Sequence, residues 1–197
     1  MKYFEKSKEL RELITEIDVS DYNYEKVTQR YNSIANYIYD NMYINNLDPD
    51  IYIQGSFKLG TAIKPLTEEG SYDIDLVCNL TKLNRFSISQ AELKEDVGNI
   101  IKEYAREKSM KNPVDESSRC WTLNYVDESN FHIDILPSVP YNDVDDENIA
   151  ITDKNKDCYY IKSADWEISN PKGYAEWFKD KSRYELYKKE YIKRIYA

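Results

Sequence analysis

Apolar positions recur at helical spacing at the start of the chain, through Phe4, Leu10, Leu13, Ile14 and Ile17, and predict a helix over 4–17. A second stripe, Val27, Tyr31, Ile34, Ala35, Ile38 and Met42, predicts a helix over 22–45 with Ser20 or Asp21 as its cap. Asn45, Asn46, Asp48 and Pro49 break that pattern. The period then shortens. Residues 51–54 and 71–80 read as strands, 91–111 as a further helix, and 119–126 with 130–136 as a hairpin turning at 127–129. The stretch 141–157 is polar and acidic and reads as a long loop, followed by a short strand at 158–161. Asn170 and Pro171 announce a closing helix, because proline suits the first helical position. Its apolar stripe runs through Tyr174, Trp177, Phe178, Tyr184, Tyr187 and Tyr191 to Ile195. Such a stripe needs a partner surface, so this helix either folds back on its own domain or meets a further lobe.

Composition narrows the class. A chain of 197 residues accommodates one domain, or one domain and a fragment of another. With 41% hydrophobic and 14% aromatic residues it is globular, even at 32% charged. Its 19 Tyr against five Phe require many core rings to place a hydroxyl near solvent or a partner. No apolar run approaches the roughly 18 residues of a membrane span, and the charged start is not a secretory signal. Cys78, Cys120 and Cys158 are odd in number and far apart, which excludes a disulfide scaffold and suits a reducing cytoplasm. The balance of 27 Lys+Arg against 36 Asp+Glu gives −9, which argues against long nucleic acid as a partner. A polyphosphate ligand would then need cations to meet this surface.

Three segments carry the chemistry: QGSFKLGTAIKP at 54–65, YDIDLV at 72–77 and FHIDILPSVP at 131–140. Strand alternation puts Ile74 and Leu76 on one face, and Asp73, Asp75 and Val77 on the other. The third segment repeats the pattern, with Phe131, Ile133 and Ile135 on one face and His132 and Asp134 opposite. If the two strands are neighbours, three carboxylates converge. Like charges that close are tolerable when a cation sits between them or when both reach water. Hard oxygen ligands suit Mg²⁺. Gly55-Ser56, at the end of a strand and before a short helix, can aim backbone N–H groups and a hydroxyl at a phosphate, or can be an ordinary turn. Gly60-Thr61 allows a further close approach, and Lys58 and Lys64 are either phosphate contacts or solvated lysines.

In combination these segments resemble the polymerase-β-like nucleotidyltransferases, and most of all the cGAS/DncV-like nucleotidyltransferases (CD-NTases) of bacterial CBASS anti-phage systems. SNPKGYAEWF at 169–178 is similar to a segment common in that family, so the likeness covers about 54–178. It implies a mixed α/β (α+β) fold with a small twisted mixed sheet flanked by helices. A catalytic core with leading helices would span 1–168, and 169–197 would begin a helical lobe that is truncated here. It also implies Asp73, Asp75 and Asp134 as catalytic metal ligands, with Mg²⁺ or Mn²⁺ as cofactor. Gln54, Gly55, Ser56 and Lys58 would lie at the nucleotide phosphates, and Asp134 would help deprotonate the acceptor hydroxyl. The expected activity is synthesis of a cyclic di- or oligonucleotide second messenger from NTPs (ATP, GTP, UTP or CTP) in the bacterial cytoplasm, read by a downstream effector protein, with no membrane or long nucleic acid involved. One departure from the family pattern is the long gap between Ser56 and Asp73, which holds an extra turn at 67–70.

Two rivals stand beside this reading: transfer to another acceptor (RNA, protein or a small molecule), and a truncated or inactive nucleotide-binding module. Other residues read more simply. His132 is a structural neighbour of the site rather than a general base, Arg119 a hairpin-surface residue rather than a triphosphate contact, the acidic run 143–147 a solvated loop rather than a second metal site, and Trp121, Trp166 and Trp177 core or interface rather than base-stacking residues. The basic stretch 181–194 is an exposed face or a seam.

Overall fold

The structure, a computed structural model, describes residues 2–43, 46–67, 70–126, 130–142, 147–163 and 165–182. Helices α1 (Lys2–Ile17) and α2 (Asp21–Tyr43) lead into strand β1 (Pro49–Gln54), the short helix α3 (Gly55–Leu59) and strand β2 (Tyr72–Leu80). Helix α4 (Gln90–Glu107) is followed by β3 (Asp115–Glu116), β4 (Trp121–Tyr125), β5 (Phe131–Pro140), β6 (Ile149–Ile151), β7 (Glu167–Ser169) and α5 (Pro171–Lys181). The described strands make one mixed sheet in the order β1-β2-β5-β4-β3, with β6 on β5 and β7 on β6. Strand β2 runs parallel to β5, and the other described pairings are antiparallel. Along its second edge β5 pairs first with β4, at 131–135, and then with β6, at 138–140.

The alternation in β2 and β5 decides the two faces. Ile74, Leu76, Phe131, Ile133 and Ile135 are fully buried in the main core with Ile34 and Ile38 of α2 and Leu93, Val97 and Ile101 of α4. The opposite face carries the acids, and beyond them a smaller apolar cluster of Val77, Leu136, Ile149 and Ile151. The tyrosines solve their hydroxyl problem where α2 meets α4. There Tyr104 donates to Ser33 Oγ (3.0 Å) and Tyr37 to Glu107 Oε1 (2.9 Å).

Several sequence expectations change. Residues 158–161 are not a strand but a turn, closed by bonds from Tyr159 N to Lys156 O and from Ile161 N to Cys158 O (both 3.0 Å). The expected loop at 141–157 contains β6, a run of three buried residues too short to show a period. Strands β3 and β7 are likewise too short to be read from pattern. Helix α4 starts at Gln90, because Ser89 and Glu92 form a reciprocal capping box, and ends at Glu107, ahead of the left-handed Ser109 (φ 51°). Ser20 Oγ accepts from Asn23 N (3.3 Å) at the start of α2. The turn expected at 127–129, most of the acidic run 143–147, residues 68–69 of the extra turn and the stripe beyond 182 lie outside the described residues. Among the described residues, no helix is long and apolar enough to cross a membrane.

Candidate active site

Parallel pairing of β2 with β5 sets Asp75 opposite Asp134 and Asp73 opposite His132. Asp73, Asp75 and Asp134 therefore project from one face, and each offers a carboxylate oxygen within 4.8 Å of the others. Asp73 is exposed, while Asp75 and Asp134 are half-buried. Burial, then Asp73, then Asp134 push the Asp75 carboxyl up to about 6. Burial and Asp134 also raise that of Asp73, with His132 opposing them weakly. The forces acting on the Asp73 and Asp75 carboxyls are burial and their acidic neighbours, with His132 the one opposing group on Asp73. Three hard oxygen donors in that state fit a divalent cation such as Mg²⁺ or Mn²⁺.

The segment after β1 is built against these acids. Gln54, the last residue of β1, pairs with Asp75 and occupies the cap position of α3 without a side-chain cap bond. Gly55 follows at φ +65°, and a Cβ there would lie 2.0 Å from Asp75 Oδ2. Only glycine meets both conditions without strain, so the start of α3 abuts the Asp75 carboxylate. Ser56 and Lys58 are half-buried on α3, whose left-handed Gly60 ends it and donates to Ser56 O. Phe57 holds the helix down. It is 4% exposed and packs edge-on against Tyr24 (5.6 Å) and Tyr72 (6.4 Å), and Tyr72 stacks on Phe131 (5.2 Å). One aromatic chain thus ties α2, α3, β2 and β5 behind the acids. Helix α5 packs on α3 and β1, where Lys172 meets Asp50 at 2.7 Å.

Lys64, Arg119 and the tryptophans are engaged elsewhere, and His132 borders the site. Lys64 Nζ donates to Glu16 O (3.1 Å) and so ties the loop after α3 to α1. Arg119 is engaged by Asp153 (3.2 Å) and Glu167 (2.7 Å), joining the approach to β4 with β7 and the segment after β6. His132 is exposed and shares a 3.3 Å contact between Nδ1 and Ser71 Oγ. Trp121 and Trp166 are core, whereas Trp177 is 53% exposed on α5 beside Tyr174. Two residues escaped the sequence reading. Thr122 of β4, opposite Asp134, donates its hydroxyl to Asp134 Oδ1 at 2.5 Å. Lys94 is fully buried in α4, with its ammonium on the Ser117 and Ser118 carbonyls and 3.5 Å from Glu116. Only the β4–β5 register reveals the first, and nothing in a helical pattern reveals the second.

Comparisons with known proteins agree with this layout. Residues 4–182 match the family model of the Second Messenger Oligonucleotide or Dinucleotide Synthetase domain. A c-di-GMP synthase of Roseivirga ehrenbergii is 28% identical over 156 residues, which are 79% of this chain and 38% of that protein. Among solved structures, the Bradyrhizobium diazoefficiens CD-NTase CdnG in complex with GTP superposes with a TM-score of 0.59 at 23% identity, over 84% of this chain and 44% of that one. The Vibrio cholerae DncV cyclic AMP-GMP synthase, in complex with a linear intermediate, gives 0.64 at 14% identity, over 85% and 57%. The chain thus spans 38% of the length of the curated relative and 44–57% of these two structures.

Proposed function

The chain belongs to the Second Messenger Oligonucleotide or Dinucleotide Synthetase domain family, and on that premise we propose that it is a cation-dependent nucleotidyltransferase that condenses NTPs into a cyclic di- or oligonucleotide. The observation that carries this reading is the Asp73–Asp75–Asp134 cluster, with carboxylate oxygens within 4.8 Å of one another, against a glycine that admits no side chain. Asp73, Asp75 and Asp134 would hold Mg²⁺ or Mn²⁺, which when bound neutralises triphosphate charge and favours ionisation of the attacking hydroxyl. Gln54, Gly55, Ser56 and Lys58 would position the phosphates, with Gly55-Ser56 bringing backbone N–H groups close to them.

In the reaction, the 2′- or 3′-hydroxyl oxygen of one nucleotide forms a bond to the α-phosphorus of another. The bond to the β-phosphate bridging oxygen breaks and pyrophosphate leaves. In this reading Asp134 helps to take up the hydroxyl proton. A second transfer closes the ring. Catalysis comes mainly from positioning and charge neutralisation. We place this activity in the bacterial cytoplasm, as a signal to a downstream effector in anti-phage defence. The free thiols of Cys78, Cys120 and Cys158 suit that compartment.

The test is to incubate the full-length protein with labelled NTPs and Mg²⁺ or Mn²⁺ and identify phosphatase-resistant products by mass spectrometry. A cyclic product is expected. Label appearing on RNA or protein instead, with no cyclic product, overturns the reading in favour of a different acceptor.

A further inference from the structure

We infer that Thr122 is a positioning residue for the reaction, acting through Asp134. This rests on the proposed cation-dependent site. Strand β4 pairs with β5 so that Thr122 is the residue directly opposite Asp134, on the face that carries the acids. Its hydroxyl donates to Asp134 Oδ1 at 2.5 Å, in the short range of a bond to a charged acceptor. Asp73 and Asp75 have no hydroxyl donor of this kind among the bonds of the described residues. Among the described residues, Asp134 is the one of the three acids whose carboxylate is restrained by a side-chain hydroxyl.

That restraint has a chemical consequence. A carboxylate on one χ1–χ2 pair is free to swing its oxygens out of the cluster, the more so with two like charges close by. Engaging Oδ1 from β4 restrains that rotation and keeps the carboxylate in the cluster it shares with Asp73 and Asp75. The neighbour of Thr122 on the same face of β4 is engaged elsewhere, since Asn124 Nδ2 donates to Asp115 Oδ2 (2.7 Å). Partners that orient metal ligands typically cost about 10- to 100-fold in metal affinity or activity when removed.

The test compares Thr122→Val, Thr122→Ser and Asp134→Asn in the full-length protein. Valine keeps the β-branched shape that a strand favours, so the fold should persist; serine keeps the hydroxyl. Mn²⁺ affinity of the nucleotide-free protein is read by electron paramagnetic resonance, and kcat and KM are read with NTPs. We expect Thr122→Val to weaken Mn²⁺ binding and lower kcat by about tenfold or more, with KM within about twofold, and Thr122→Ser to restore both. Should Thr122→Val lose structure, Thr122→Ala against Thr122→Ser gives the same contrast. Valine and serine variants that both match wild type, or serine no better than valine, overturn the inference. If Asp134→Asn itself keeps Mn²⁺ affinity and turnover, the reading of the site is what fails. If Asp134→Asn loses both while Thr122→Val loses neither, the failure is confined to Thr122.

Discussion

Asp75 is the residue on which the electrostatics of the site concentrate. Its carboxyl stands at about 6, against an ordinary 3.8, because burial and two neighbouring acids disfavour the charge. The folded chain therefore binds this proton more tightly than the unfolded one. The group's contribution to stability is full below about pH 4 and is lost as pH rises through about 6. In EDTA, Asp75→Asn should melt above wild type at pH 7, with the difference shrinking towards pH 4 in a calorimetric series. Saturating Mn²⁺ should reverse the order at pH 7, because the amide loses the cation's stabilisation. Gly55 makes the complementary case. Gly55→Ala puts a Cβ 2.0 Å from Asp75 Oδ2, at φ +65°. The left-handed backbone costs about 1–2 kcal/mol, while displacing the carboxylate by about an ångström should lower kcat by about 10²-fold. Turnover should fall much further than melting temperature. Both residues were legible in the sequence, because a DxD beside an apolar alternation and a Gly-Ser after a strand are local patterns. Thr122 was not legible, because its role exists only once β4 and β5 are in register.

At the scale of elements, the site depends on parts that carry no motif. Phe57 anchors α3 through the aromatic chain that ends in Phe131, which is fully buried. Helix α4 backs the sheet closely because Gly98 admits the Trp121 indole, where a Cβ would come within 2.3 Å of the ring. Trp121 Nε1 in turn donates to Lys94 O (2.7 Å). Lys94 spans from α4 to the loop before β4, and burial lowers its ammonium pKa against the opposing pull of Glu116. Lys94→Ala removes a fully buried side chain and both carbonyl contacts, and should cost about 2–5 kcal/mol in chemical denaturation. Amide exchange should speed up around 115–118 while Mn²⁺ affinity changes little. A charged residue on a helix ordinarily faces solvent, which is why a helical pattern does not single this one out. The long helices and the β2 and β5 alternation were readable because periodicity accumulates over many residues. The two- and three-residue strands β3, β6 and β7 were not, because pairing rather than pattern makes them strands.

Over the whole molecule, the mixed sheet separates two tasks. One face carries the apolar core under α2 and α4, and the other carries the acids, edged by α3 and α5. The net charge of −9 first argued against a polyanionic partner. Three of those acids now lie in one cluster where a divalent cation would reverse the local sign for NTPs. The central claim is that this cluster turns triphosphates over, and pyrophosphate release by the full-length protein in Mg²⁺ or Mn²⁺ tests it most directly. Wild type should release pyrophosphate with NTPs and stop in EDTA. The Asp73→Asn, Asp75→Asn double variant should remain folded and fall by at least about 10²-fold. A folded double variant that releases pyrophosphate at the wild-type rate contradicts the account.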